Sequence, residues 1–90
     1  MTDGTDASDL TQRFYRARSL HALAAALRGA RDIRGLTQAE LADTIGSSRP
    51  TVSRMERGAP VATDTALAAL AACGYELVAV PRGSTISVAR

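Results

Sequence analysis

GLTQAELADTIGSSRPTVSRMERG, residues Gly35–Gly58 of a 90-residue chain, holds two short helix signatures separated by a glycine. Within it TQAE, Thr37–Glu40, has the form of a capping box, in which Thr37 bonds the Glu40 N–H and Glu40 reaches back to the cap. Leu41, Ala42 and Ile45 supply a buried face, and Gly46 ends the helix. Ser47 or Ser48 caps the next one. Pro50 then lies in a first turn, where its missing N–H is not needed, so the proline marks a helix start. Two short helices joined by a tight glycine turn are the geometry of a helix-turn-helix. At the crossing Ala42 leaves room, Gly46 permits the turn, and Val52 and Met55 fill the apolar gap.

Turning the second of these helices at ~100° per residue puts Val52 and Met55 on one side. Pro50, Ser53, Arg54 and Arg57 fall on the opposite side, with Arg49 at the margin. An apolar back and an arginine-rich front suit the DNA major groove, because arginine offers a two-pronged donor to guanine O6 and N7 or to phosphate. Pro50 offers apolar contact to a thymine methyl group. A solvated basic face is the bland alternative. The capped helix and glycine turn immediately before it favour the DNA reading.

On the N-terminal side of this stretch, Ser19 has the form of an N-cap. Leu20, Leu23, Ala24, Leu27, Ala30 and Arg31 follow at helical spacing, with Gly35 as the stop. Residues 1–9 are small, polar and acidic, the composition of a disordered tail that extends to about residue 18. Within that tail LTQRFYRAR adds at most one helical turn. Toward the C-terminus, APVAT is a loop and Thr63 is a candidate cap. The fourth helix turns Leu67, Leu70 and Ala71 inward, and Gly74 closes it. YELVAV, Tyr75–Val80, alternates like a strand and is bounded by PRGS. The expected organisation is a tail over 1–18, a DNA-binding domain over 19–74, and a dimerisation segment over 75–90.

Composition narrows the function further. The chain is 46 % hydrophobic but only 3 % aromatic, and the formal net charge is +2 with every basic residue an arginine. A core of small and aliphatic side chains favours close helix contacts over a deep ligand pocket. Asp3, Asp6 and Asp9 crowd the tail, so the domain itself is more basic than the total. A single cysteine, Cys73, excludes an internal disulfide and reads as a small core residue in a reducing cytoplasm. The opening residues lack the basic-then-apolar pattern of a signal peptide, and Ala66–Ala72 is too short to span a membrane.

One histidine, His21, and one cysteine make no metal set and no nucleophile–base pair, so neither cofactor nor catalysis is expected. Asp32, Asp43, Asp64 and Glu76 read as solvated surface. Tyr75 reads as an anchor for the strand, while Phe14 and Tyr15 pack on the domain or on a partner.

Residues 19–58 resemble the lambda-repressor-like Xre family of helix-turn-helix proteins, with Gln38, Ala42, Gly46, Val52 and Glu56 where that pattern has such residues. The resemblance implies an all-α bundle of four to five helices with a C-terminal β-strand, acting as a transcriptional repressor. It implies that Arg49, Pro50, Thr51, Ser53 and Arg54 read bases, and that Gln38, Ser48 and Arg57 contact phosphate. It also implies an internal ion pair between Arg31 and Glu56. Arg49 and Arg54 stand where several relatives have amides, so the operator sequence does not carry over.

Over residues 19–80 the chain is similar to the HipB-type antitoxins. That resemblance implies a homodimer on double-stranded DNA and a HipA-type serine/threonine kinase toxin as partner. Stand-alone Xre regulators share the helix–strand ending and form the rival reading, and a helical protein-binding adaptor is a third. In a dimer, Tyr75, Leu77, Val78, Ala79 and Val80 would pair antiparallel with their own copies and place two recognition helices one DNA turn apart, over an inverted repeat. An intrachain hairpin with Thr85–Val88 is the competing arrangement.

Overall fold

A computed structural model of the chain describes residues 14–88 and holds four helices: α1 (Leu20–Arg34), α2 (Gln38–Thr44), α3 (Arg49–Glu56) and α4 (Thr63–Ala72). Residues 1–13 of the expected tail over 1–18 lie outside the described residues. Each of the first three helices starts where a hydroxyl satisfies otherwise orphaned amides. The Ser19 hydroxyl accepts from the Ala22 N–H at 3.1 Å and opens α1. At α2, the Glu40 N–H donates to Thr37 Oγ1 at 3.0 Å and the Thr37 N–H to Glu40 Oε1 at 2.8 Å, a complete capping box. Ser48, rather than Ser47, caps α3, with Pro50 in its first turn.

Gly46 carries the turn between α2 and α3 at φ +69°, a conformation that costs a side-chain-bearing residue. The Ser47 N–H returns to the Ala42 carbonyl at 2.8 Å, closing the end of α2. Leu41, Val52 and Met55 are the largest fully buried side chains. Around them pack Leu27 and Ala30 of α1, Ala42 of α2, and Ala69, Leu70 and Cys73 at the α4 end. Cys73 is thus a core residue, and burial pushes its thiol pKa up.

Two expectations for α4 change. Thr63 begins the helix, but the cap is Ala62 and no side chain bonds the first turn. The inward face is Ala66, Ala69, Leu70 and Cys73, whereas Leu67 is 44 % exposed and Ala71 is also exposed. The helix is apolar almost all round, so hydrophobic spacing did not single out a face, and packing against α1 and α2 selected the alanine side.

The C-terminal segment also differs from expectation. No strand occurs among the described residues. After the Tyr75 N–H bonds the Leu70 carbonyl at 2.8 Å, residues 76–80 run without a ladder, and the chain turns at Pro81–Ser84. Residues 85–88 do not pair with them, which removes the intrachain hairpin. A ladder needs a second strand, and the single chain supplies none. Residues 14–17 form no helix either, and Tyr15 packs against the core.

Candidate nucleic-acid interface

The buried pair Val52 and Met55, at 0 % and 2 % exposure, fixes which way α3 faces. Arg49, Pro50, Arg54 and Arg57 are consequently exposed, with Thr51 and Ser53 half-buried at the borders of that surface. Arg57 donates Nη1 to Ser53 Oγ at 2.5 Å, and Arg54 donates Nη2 to Thr51 Oγ1 at 3.4 Å. Thr51 Oγ1 lies 2.9 Å from Ser48 Oγ. The two guanidinium groups are therefore aligned along the helix by neighbouring hydroxyls. None of Arg49, Arg54 and Arg57 has a carboxylate partner among the described residues. Such a row keeps its charge and its donors available to an anionic ligand.

Glu56, the one acid on α3, is removed from this surface. Its side chain is 3 % exposed, and Arg31 of α1 grips it with Nε on Oε2 at 2.6 Å and Nη2 on Oε1 at 2.9 Å. The remaining arm of the guanidinium, Nη1, donates to the Leu36 carbonyl at 2.8 Å. One side chain thus ties α1, the loop before α2, and α3 together. Burial alone would raise the Glu56 carboxyl, but hydrogen bonds from Arg31 and Gln38 and the Arg31 charge outweigh it and hold the pKa below the ordinary value. The hydrogen bond that Arg31 donates to Glu56 in turn raises the Arg31 pKa, against its own burial. The pair also cancels the negative charge that would otherwise weaken the field in front of the helix.

Gln38 sits in this cluster as well. Its Nε2 donates to Glu56 Oε1 at 3.0 Å, so the amide expected at a phosphate is anchored on the ion pair. A side-chain amide carries a second N–H, which this bond leaves over. The Ser48 hydroxyl, expected at a phosphate too, accepts from the Thr51 N–H at 3.3 Å as the α3 cap. The structure therefore gathers Arg31, Gln38 and Glu56 in one group behind α3. Ser48, Arg49, Pro50, Thr51, Ser53, Arg54 and Arg57 lie on α3 and its cap. Tyr75, Leu77, Val78, Ala79 and Val80 lie apart from both, on the segment after α4, with Leu77 and Val78 more than 60 % exposed.

Two contacts had only a faint signal in the sequence. A Cβ built on Gly29 would come within 2.8 Å of the Tyr15 hydroxyl, so the glycine inside α1 marks a close approach. Tyr15 also meets Tyr75, with ring centroids 5.6 Å apart. No group of three or more His, Cys, Asp or Glu that could hold a metal occurs among the described residues. No described helix is long and apolar enough to cross a membrane.

Residues 22–79 match the family model described as helix-turn-helix domain. No curated protein matches in sequence. Among solved structures the chain is 34 % identical to the clp gene regulator ClgR from Corynebacterium glutamicum, with a TM-score of 0.60 over 63 % of this chain and 62 % of that one. The chain thus spans less than two thirds of the length of ClgR. HipB in a complex with an O4 20mer is 27 % identical at a TM-score of 0.70, covering 77 % of this chain and 99 % of HipB. The restriction-modification controller protein C.AhdI from Aeromonas hydrophila is 33 % identical at a TM-score of 0.59, over 63 % of this chain and 84 % of that one. With the capped pair α2–α3, the glycine turn and this match over residues 22–79, the chain belongs to the helix-turn-helix domain family, in its lambda-repressor-like Xre branch.

Proposed function

We propose that this protein is a homodimeric, sequence-specific DNA-binding repressor and the antitoxin of a HipBA-like operon, without catalytic activity of its own. The observation that carries the reading is the exposed face of α3, whose three arginines have no carboxylate partner among the described residues, opposite a fully buried Val52. In the major groove Arg49 and Arg54 would fork onto guanines, with Pro50, Thr51 and Ser53 filling the surface between them. Arg57 would meet the phosphate backbone, as would Ser48 and the second amide N–H of Gln38. Arg31 and Glu56 act behind the surface, holding α3 at the angle that presents it.

Dimerisation follows from the segment after α4. Residues 76–80 leave backbone N–H and C=O groups unpaired among the described residues and expose Leu77, Val78 and Val80. An unpaired edge of this kind recruits a strand, and a two-fold partner supplies the same one antiparallel. Two recognition helices about 34 Å apart then fit successive major grooves of an inverted repeat.

The antitoxin role is supported by the likeness that runs over 99 % of HipB, a protein also solved in a HipA–HipB–O2–O3 complex. A toxin–antitoxin module from Streptococcus pneumoniae is a further neighbour, with 88 % of this chain covered. The likeness to ClgR favours a second reading, a solitary regulator. Expressing the chain from its native operon and identifying what co-purifies separates them. A kinase-like partner in stoichiometric amount supports the antitoxin. Purification of the chain alone from an operon that encodes no such protein supports the solitary regulator. The expected site of action is the cytoplasm, where the operator lies.

A further inference from the structure

Tyr15 and Arg16 are adjacent in sequence, yet they touch opposite ends of the segment after α4. The Tyr15 ring is tilted 54° against Tyr75, where that segment leaves the helix. Arg16 donates Nη2 to the Ser84 carbonyl at 2.9 Å, just past the turn in which the Ser84 N–H bonds the Pro81 carbonyl. Between the two anchors lie residues 76–80, which form neither a helix nor a ladder. Val78 and Val80 face the N-terminal residues across a groove that Arg18 and Arg82 also line. The body of the domain accommodates this arrangement at Gly29, where a Cβ would press on the Tyr15 hydroxyl at 2.8 Å and on the ring at 3.1 Å.

We propose that residues 14–16 are a clasp that fixes both ends of this arm for pairing with a second copy of the chain. Tyr15, Arg16 and Gly29 are then positioning residues for dimerisation. The inference rests on the homodimer reading above. An arm tethered only at α4 would lose backbone entropy residue by residue as it entered a ladder. An arm already fixed at Tyr75 and Ser84 has lost most of it before association, which tightens the dimer without adding a contact across it.

The test is sedimentation equilibrium of the full chain and of Arg16→Ala, Arg16→Lys and Gly29→Ala. Thermal unfolding is measured on protein dilute enough to be monomeric. Arg16→Ala removes one hydrogen bond of an exposed side chain, and Gly29→Ala displaces Tyr15 while improving helix propensity. The clasp predicts that both weaken dimerisation by about ten-fold or more, because the arm must now be ordered during association. Their monomer melting midpoints stay near wild type, and Arg16→Lys, which keeps a donor, restores most of the loss. Faster amide exchange at Leu77 and Val78 in the two alanine variants accompanies the effect. Unchanged dimer constants in both variants, from a wild type that dimerises, would overturn the clasp alone. A wild type that stays monomeric at every concentration would overturn the clasp and the dimer reading together.

Discussion

Replacing Glu56 by glutamine keeps the shape of the side chain and removes its charge. Two charge-assisted bonds from Arg31, at 2.6 and 2.9 Å, then lose their acceptor charge, and a glutamine NH2 meets guanidinium N–H groups donor against donor. Breaking one side of a buried pair costs about 3–5 kcal/mol, chiefly by leaving the other charge uncompensated. Arg31 keeps 12 % of its side chain exposed, the Leu36 carbonyl at 2.8 Å and Asp32 at 3.5 Å. These soften the loss to about 2–4 kcal/mol. For a domain of this size that is a drop of roughly 10–25 °C in Tm.

Calorimetry at neutral pH reads it directly, and a double-mutant cycle with Arg31→Gln isolates the coupling. The pH dependence has a definite sign. The Glu56 carboxyl lies below its ordinary value when folded, so its stabilisation is full above the ordinary glutamate pKa, about 4.3. As pH falls through the folded value the unfolded chain has already taken up the proton, and the stabilisation is lost. The gap between wild type and Glu56→Gln should therefore close in acid. A Tm within about 2 °C of wild type at neutral pH would refute the claim that this pair joins α1 to α3.

Three further outcomes are expected. Arg54→Ala should weaken operator binding by about 1–3 kcal/mol and relax preference at one base pair, read by binding-site selection. Met55→Ala, at a side chain 2 % exposed, should cost about 2–5 kcal/mol of stability in denaturant titration. Deleting residues 75–90 should leave a monomer by light scattering; a truncated chain that stayed dimeric and bound its operator as tightly would show that the arm serves another purpose.

The helix-turn-helix was legible because its punctuation is chemically specific. Thr37 and Glu40, Gly46, Ser48 and Pro50 each admit few structural roles, and together they fix two helix starts and the turn between them. Val52 and Met55 then orient α3, and the arginine face follows by helical geometry. The face of α4 was not legible, since a helix built of alanine and leucine offers little contrast between sides, and packing against α1 decided it. Gln38 marked a functional position in the sequence, but only the fold shows that its amide reaches Glu56 across eighteen positions of sequence. The same holds for Tyr15, whose contact with Gly29 and Tyr75 depends on where the chain ends of the domain converge. The arm read as a strand by its alternation, but alternation supplies no partner, and among the described residues nothing pairs with it.

Whether the arginine face of α3 reads a DNA sequence is decided by binding. Fluorescence anisotropy with duplex DNA from the promoter upstream of the coding sequence, against a scrambled duplex of equal length, tests it over a range of salt concentrations. The promoter duplex should bind tighter by about 10³-fold or more, with affinity that falls steeply as salt rises, and Arg49→Ala/Arg54→Ala should lose that discrimination. Equal affinity for both duplexes, or a preference that survives loss of both arginines, would contradict it.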